Sequence, residues 1–450
     1  MEHRHPHSSS HPESSTLSIM IVAGEASGDK HGASLAQALS SLLPETRFEL
    51  FGSGGDEMRA AGVETLVDAR DVAIIGVPEI ARALGKLYHA YRALLGAARS
   101  RRPAAIVLID WPDFNMRLAR KLHREGFKIV YYVSPQVWAW RRYRVRALRR
   151  DVDLMLVILP FEEDFYRSHG IDAEYVGHPL ADAVRASVSR QEFCRRYGLD
   201  PARAIFALLP GSRHKEIHYH LPLMLDAANR LRTLRLRIGD GGLRNNEPAV
   251  VGDDARSKHS TLKSEISNPQ SAIRDPQSGD PQFVIPLAST VRREEVEAIT
   301  RKMTHNATGA GAKLFDVTII ERDTYDALSH SAFAIVASGT ATVEAALAGT
   351  PMVIVYRGSE LNWRLIRPLI RLDTFGMVNL IAGRRIVPEL IQHDATDERI
   401  ALEVSAILGN DARLTQMKQD LGRVRELLTG EGNQGAERAA RAVMKVIRRP

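Results

Sequence analysis

The sequence predicts an α/β protein of two domains, each a parallel β-sheet covered by helices. Three observations carry that expectation. Short runs rich in Val, Ile and Leu alternate with amphipathic stretches along most of the chain, the β/α repetition from which parallel sheets are built. The runs are mostly apolar throughout rather than alternating, as strands covered on both faces are. The repetition also comes in two series, parted by a polar stretch near Ser187–Pro201, in a chain of 450 residues that suffices for two full cores.

In the first series the expected strands are Ser18–Ala23, Arg47–Phe51, Ala104–Ile109, Lys128–Val133, Leu154–Leu159 and Glu174–Val176. After "DWPDFN", Phe114, Leu118 and Leu122 recur every fourth residue on one helix face, and Gly126 closes that helix. The second series places strands at Ala204–Leu209, Phe283–Leu287, Leu314–Ile320, Phe333–Ala337 and Met352–Tyr356. Within it "AIVASGTATVEAALAGTPMVIVY" reads as strand, glycine turn, short helix and strand, with Gly349 at the helix end and Pro351 re-entering the sheet. The expected organisation is a tail over 1–16, a first domain over 17–186, a second over 187–393 and C-terminal helices over 394–450. Residues 237–282 are polar and Gly/Pro-rich, lack the apolar periodicity that offsets ordering entropy, and read as a disordered surface insertion between a helix and a strand.

Hydrophobic residues make up 44% and charged residues 26%, an ordinary soluble composition. A net charge of +7 and a pI near 9.5 favour anionic partners: nucleic acid, a phospholipid surface or a phosphorylated metabolite. Nucleic acid accounts for the charge but not for two paired sheets with chemistry at their loops, and is set aside. The single cysteine, Cys194, forms no internal disulfide, which suits a reducing cytosolic compartment. The first sixteen residues hold no apolar core of a signal peptide, and no later run is long enough to span a bilayer. His3, His5, His7 and His11 lie in a Ser/Pro/His composition that predicts disorder rather than a metal site.

In parallel α/β sheets, ligands gather at the carboxyl ends of the strands. In the first domain those ends supply Glu25 and Asp29, Gly52–Gly55, Asp110 and Asp113 in "LIDWPDFN", and Ser134–Trp140. In the second they supply Pro210, Gly211, Ser212 and Arg213, then Ser338, Gly339 and Thr340. Carboxylates on one side, and an arginine with glycine-opened helix starts on the other, suggest an acceptor hydroxyl that loses a proton and a diphosphate that departs. Asp110 directly ends a buried run, where a carboxylate is costly unless paired or functional. Asp113, beside Pro112, reads as the N-cap of its helix. Glu25 and Asp29 complement a helix dipole or face the acceptor. Arg213 stands where a guanidinium reaches a diphosphate bidentately, and Glu344, one turn into its helix, where it can accept from ribose hydroxyls. Asn379 is polar amid apolar residues, with a helix cap as the other reading.

In chain order, "IVAGEASGDKHG", "IDWPDFN", "YYVSPQVWAWR", "LPFEEDFY", "YVGHPLAD", "LLPGSR", "ASGTATVEAALAGTPMVIVYR" and "NLIAGRRIVPEL" resemble the motif series of the lipid-A-disaccharide synthase family. The resemblance implies a GT-B fold, two Rossmann-like domains facing across a cleft, and an inverting transfer that uses neither metal nor cofactor. It implies that 2,3-diacylglucosamine moves from UDP-2,3-diacylglucosamine to the 6-hydroxyl of 2,3-diacylglucosamine 1-phosphate, giving a β-1,6 disaccharide and UDP. Carried over by residue, it makes Asp110 the leading base, sets Glu25 in the acceptor lobe, and puts Arg213, Glu344 and Asn379 at or near the nucleotide sugar. Gly211, Ser212, Ser338, Gly339 and Thr340 join that substrate-binding set. A different GT-B transferase or epimerase for UDP-N-acetylglucosamine would share the "SGT" half but not "IDWPDFN" with "VSPQVWAW"; a non-catalytic binder of acylated sugar is the other alternative. Acylated substrates further imply an anionic membrane surface as partner, on the cytoplasmic side of the inner membrane, with a homodimer left open. Ile74, Ile75, Val77, Pro78 and Ile80, followed by Arg99, Arg101 and Arg102, and the band Arg141, Arg142, Arg144, Arg146, Arg149 and Arg150 are the expected contact surface.

Overall fold

The computed structural model describes residues 16–69, 80–139, 141–240, 280–288, 290–306, 317–360, 363–364, 374–429 and 435–449. The chain divides into two compact units, Met1–Asp182 with Leu427–Pro450, and Ala183–Glu426.

In the first unit the strands are β1 (Thr16–Ala23), β2 (Arg47–Gly54), β3 (Glu64–Asp68), β4 (Ala105–Ile109), β5 (Ile129–Tyr132), β6 (Leu154–Val157) and β7 (Ala173–Tyr175). They form one seven-stranded parallel sheet in the order β3-β2-β1-β4-β5-β6-β7. Alternation along β1 sends Met20 and Val22 to one face and Ile19 and Ile21 to the other. Helices Ile80–Arg101 and Pro112–His123 cover the first face with Leu94, Phe114, Leu118 and Leu122. On the opposite face Leu35 and Leu39 of helix Ala26–Leu42 pack beside Ala439, Ala440, Val443 and Met444. The expected block of C-terminal helices over 394–450 is therefore divided: helix Gly435–Arg448 returns to the first unit, because its apolar face completes the cover of that sheet. The first boundary likewise falls at Asp182/Ala183 rather than 186/187.

The second unit has a six-stranded parallel sheet of β8 (Ile205–Leu209), β9 (Gln282–Pro286), β10 (Val317–Ile320), β11 (Phe333–Ala337), β12 (Met352–Tyr356) and β13 (Glu389–Ile391). Its order is β10-β9-β8-β11-β12-β13. In each sheet the order reverses once, between β1 and β4 and between β8 and β11. β3 and β13 went unpredicted, and both are edge strands with half-exposed residues and no unbroken apolar run. The expected tail, the apolar residues Ile74–Pro78, Leu314 and most of the 237–282 insertion lie outside the described residues; helix His214–Asp240 runs into the start of that insertion.

Asp29, in the first turn of helix Ala26–Leu42, serves this fold directly. Its buried carboxylate accepts hydrogen bonds from the backbone N–H groups of Gly55 at 2.6 Å, Glu57 at 3.1 Å and Met58 at 3.1 Å. It thus caps helix Asp56–Ala60 from another element and fastens the glycine turn after β2 beside β1. Asp29→Ala leaves those donors without a partner and should cost about 1–3 kcal/mol. Urea unfolding should show a lower midpoint, and the Gly55 and Met58 amides should exchange faster; an unchanged midpoint would mean that water caps the turn equally well.

Candidate active site

In the first unit, pairing of Ala23 with Ile109 brings the turn after β1 beside the end of β4. There Asp110 and Trp111 adopt left-handed backbone with φ of 47° and 49°. Two successive non-glycine residues in that region cost about 1–2 kcal/mol each. The surroundings hold them in place. Asn115 donates to the carbonyls of Ile109 at 3.1 Å and Asp110 at 2.8 Å, the Tyr131 hydroxyl donates to the Asp110 carbonyl at 2.7 Å, and the Asp110 N–H donates to Tyr132 at 3.0 Å. The Trp111 indole stacks on Phe114, with ring centroids 3.8 Å apart, and lies against Gly24, where a Cβ would stand 2.1 Å from the ring. Only glycine fits at position 24.

The Asp110 carboxyl is half-buried, and burial together with the charge of Glu25 raises its pKa to about 6, opposed by a backbone hydrogen bond at Trp111. Glu25 is exposed at the N-cap position of helix Ala26–Leu42 and makes no capping bond through its side chain. The structure thus brings Asp110 and Glu25 together at the sheet's reversal point. Asp113 is not the cap expected of it. The N-cap is Trp111, and Asp113 is exposed and ion-paired with Arg144 and, at 3.6 Å, with Arg141. The loop that begins at Ser134 is pinned by Glu162, which accepts from Ser134 Oγ at 2.6 Å and Trp138 Nε1 at 2.9 Å. Burial pushes the Glu162 carboxyl up to about 7.

In the second unit Gly211, Ser212 and Arg213 follow β8, and Ser338, Gly339 and Thr340 follow its neighbour β11. The N–H groups of Ser212 and Arg213 both donate to one oxygen of Glu216, at 3.0 Å and 3.2 Å, while Arg213 Nη1 reaches the other at 3.0 Å. Gly211, at φ +118°, is required here because a Cβ would lie 2.5 Å from Glu216. The turn after β8 is therefore shaped to hold an anion, here a carboxylate of the chain itself. His220 ties its other side, with Nδ1 2.8 Å from the Pro210 carbonyl and Nε2 accepting from the Arg357 N–H at 3.0 Å; burial lowers its pKa. Those two bonds assign the neutral tautomer with the proton on Nδ1.

Burial raises the Glu344 carboxyl as well. Asn379 neither caps a helix nor offers its amide outward. Its Oδ1 accepts from Ile386 at 2.8 Å and Val387 at 3.0 Å, and its Nδ2 donates to Val387 at 2.9 Å and Glu389 at 2.7 Å. Glu389 in turn accepts from the Phe375 N–H at 2.8 Å, and Ser338 Oγ donates to the Phe375 carbonyl at 3.0 Å, so Asn379 supports the Ser338 turn from behind. Sequence reading did not single out Asn115, Tyr131, Glu162 or His220, although the first three lie inside the motifs "IDWPDFN", "YYVSPQVWAWR" and "LPFEEDFY"; Tyr131, Glu162 and His220 find partners distant in the chain, which no local pattern marks.

The expected basic surface is partly spent within the fold. Arg99 pairs with Glu125 at 2.7 Å, Arg101 with Glu64 at 2.6 Å, and Arg102 lies over the Phe127 ring. Arg150 pairs with Asp151 at 2.6 Å, whereas Arg142, Arg146 and Arg149 are exposed beside Tyr143, which is 72% exposed. Among the described residues no helix is long and apolar enough to cross a membrane.

A family model described as lipid-A-disaccharide synthetase matches residues 19–237 and 275–444, its match interrupted within the polar insertion. A lipid-A-disaccharide synthase of Koribacter versatilis is 42% identical over 96% of this chain and 99% of its own length. The Geobacter sulfurreducens protein of the same name is 39% identical over 97% of this chain and 98% of its own. Among solved structures, a UDP-GlcNAc 2-epimerase from Neisseria meningitidis bound to UDP-GlcNAc aligns with a TM-score of 0.52 at 10% identity, covering 96% of this chain and 100% of that one. A glycosyltransferase from Rickettsia africae gives 0.52 at 10% identity over 97% and 100%. These two show the GT-B fold.

The bonds behind Asp110 predict the effect of removing them. Asn115→Ala strips the Ile109 carbonyl of its side-chain donor and releases the left-handed pair, so stability should fall by about 1–3 kcal/mol. Tyr131→Phe, which leaves Asn115 to serve the Asp110 carbonyl, should cost less. Thermal melts of the two variants check the order, and equal losses would show that the two donors do not share one task.

Proposed function

The chain belongs to the lipid-A-disaccharide synthase family, and we propose that it transfers 2,3-diacylglucosamine from UDP-2,3-diacylglucosamine to the 6-hydroxyl of 2,3-diacylglucosamine 1-phosphate. It is a glycosyltransferase of lipid A synthesis. In the proposed step Asp110 takes the proton of the acceptor hydroxyl as that oxygen attacks the anomeric carbon, the bond to the diphosphate breaks, and UDP leaves with inversion. The observation that carries this assignment is the carboxyl of Asp110, held by strained backbone at the reversal of the sheet and raised to about 6. A carboxylate so raised is a stronger base than an ordinary one yet still ionised near neutral pH. Glu25 shares the acceptor side and sets part of that value.

The diphosphate belongs, in this reading, at the turn of Gly211, Ser212 and Arg213, with Ser338, Gly339 and Thr340 alongside, Glu344 toward the ribose, and Asn379 as a positioning residue behind Ser338. In support, the turn already presents two N–H groups and a guanidinium to one carboxylate. Contact with an anionic membrane surface at its cytoplasmic face fits the acyl chains of both substrates. Arg142, Arg146, Arg149 and Tyr143 are the exposed groups that serve it, at about 1 kcal/mol per basic residue near the surface. Nothing in this scheme requires a second copy of the chain.

Incubation with both substrates, followed by mass spectrometry for disaccharide and UDP, tests the reaction. Asp110→Asn should lower turnover by about 100- to 10,000-fold while UDP binding persists. Its fold should not suffer, for asparagine also tolerates left-handed backbone. The folded pKa of Asp110 lies above the ordinary 3.8, so its ionisation opposes folding as pH rises past that value and most fully above about 6. The asparagine variant should therefore melt no lower than wild type at pH 8. The wild-type rate should decline as pH falls through about 6, and Glu25→Gln should move that limb to lower pH. If Glu25→Gln instead abolishes turnover and Asp110→Asn spares it, Glu25 is the base. Arg213→Ala should cost at least about 100-fold, the scale of one preorganised donor, with lysine restoring only part; wild-type kinetics there would place the diphosphate elsewhere.

A further inference from the structure

A cluster that the transfer reaction does not use lies at the start of helix His214–Asp240. His214 and His218 are one turn apart, their ring centroids separated by 4.3 Å. From a different element, helix Arg293–Asn306, Glu295 reaches between them, its Oε1 2.5 Å from Nδ1 of His214 and 3.3 Å from Nδ1 of His218. One ligand atom from each of the three falls within 4.8 Å of the other two. Glu295 Oε1 is buried, and close as the two rings lie, neither is aligned to give it a hydrogen bond. A buried carboxylate oxygen without a hydrogen bond is costly, and a cation held jointly with the two imidazoles would remove that cost.

We propose that His214, His218 and Glu295 form a binding site for a divalent first-row transition-metal ion, zinc above all. Two imidazoles and one carboxylate are the donor set such an ion prefers, and three protein ligands leave a coordination position for water. Magnesium and calcium, which take oxygen ligands, suit the site poorly. The carbonyl of His214 lies 3.1 Å from His218 Nδ1, an intrahelical contact that the ion displaces or that steadies the ring as it binds. By joining the first turns of two helices the ion also braces the Ser212–Arg213 turn, which Thr290 Oγ1 already fastens from the same side by donating to the Ser212 carbonyl at 2.6 Å. The site is separate from the proton transfer assigned to Asp110.

The test is zinc titration of the metal-stripped full chain, by calorimetry and by melting temperature, against His214→Ala/His218→Ala and against Glu295→Gln. All three proteins keep His3, His5, His7 and His11, so binding by that tail is common to them. Wild type should take up one equivalent that the double variant lacks or binds at least about 100-fold more weakly, and zinc should raise the melting temperature of wild type alone. Cobalt should give wild type a visible absorption band of low-coordinate geometry that both variants lose. Glu295→Gln, nearly isosteric, keeps the test valid should the double variant fold poorly. Equal zinc uptake and equal thermal shifts in all three proteins overturn the proposal, leaving the three residues an ordinary histidine–carboxylate cluster.

Discussion

The structure depends on a constraint of parallel sheets: a strand order that reverses once leaves an opening that no helix covers. Helices Ala26–Leu42 and Ile80–Arg101, on either side of the β1/β4 reversal, lie on opposite faces of the first sheet, and the loops leaving β1 and β4, like those leaving β8 and β11, meet at the carboxyl ends of neighbouring strands. Glu25 and Asp110 come from one such pair of loops, and Gly211, Ser212, Arg213, Ser338, Gly339 and Thr340 from the other. Register then does what sequence distance cannot, placing loops separated by two strands and several helices side by side. A slip of one residue at β1/β4 would turn Asp110 to the other face of the sheet.

At the first opening, precision is obtained at the expense of backbone comfort. Asp110 and Trp111 leave the common regions of conformation, and the groups that hold them there, Asn115, Tyr131 and Phe114, sit on buried elements with little freedom. The same tight surroundings that fix the Asp110 backbone also bury its carboxyl, so backbone position and basicity share a cause. The second opening works differently. Its arginine is exposed, and order comes from main-chain groups and from His220 and Asn379 behind them. A buried, tightly held acid at one opening and an exposed, ion-paired guanidinium at the other match the proposed division between proton removal and diphosphate binding.

What could be read in the sequence follows from burial. Strands covered on both faces announce themselves as apolar runs, and those of the two sheet centres emerged nearly in place. β3 and β13, at the edges, leave most of their residues only partly buried or exposed and carry no such signal. The strand-end carboxylates and the arginine turn were legible because charge directly after a buried run is unusual. Partnerships across the chain were not. Asp29 finds its donors 26 to 29 positions away, and Glu162 grips a loop 24 and 28 residues before it. Asp113 shows the same limit: beside Pro112 it looks like a cap, but the left-handed turn starts the helix at Trp111, and arginines far along the chain claim the carboxylate.

The return of helix Gly435–Arg448 to the first sheet imposes an order on biogenesis. As the chain leaves the ribosome, the strands of the first sheet emerge early, but the residues that finish covering one of its faces emerge only after the whole of Ala183–Glu426. Until then Ile19, Ile21 and Val107 lie under an incomplete cover. The nascent protein thus carries an unfinished apolar face through most of its synthesis, and the second unit can fold while the first is still waiting. The apolar face made earliest is thus the last to be closed, by Val443 and Met444.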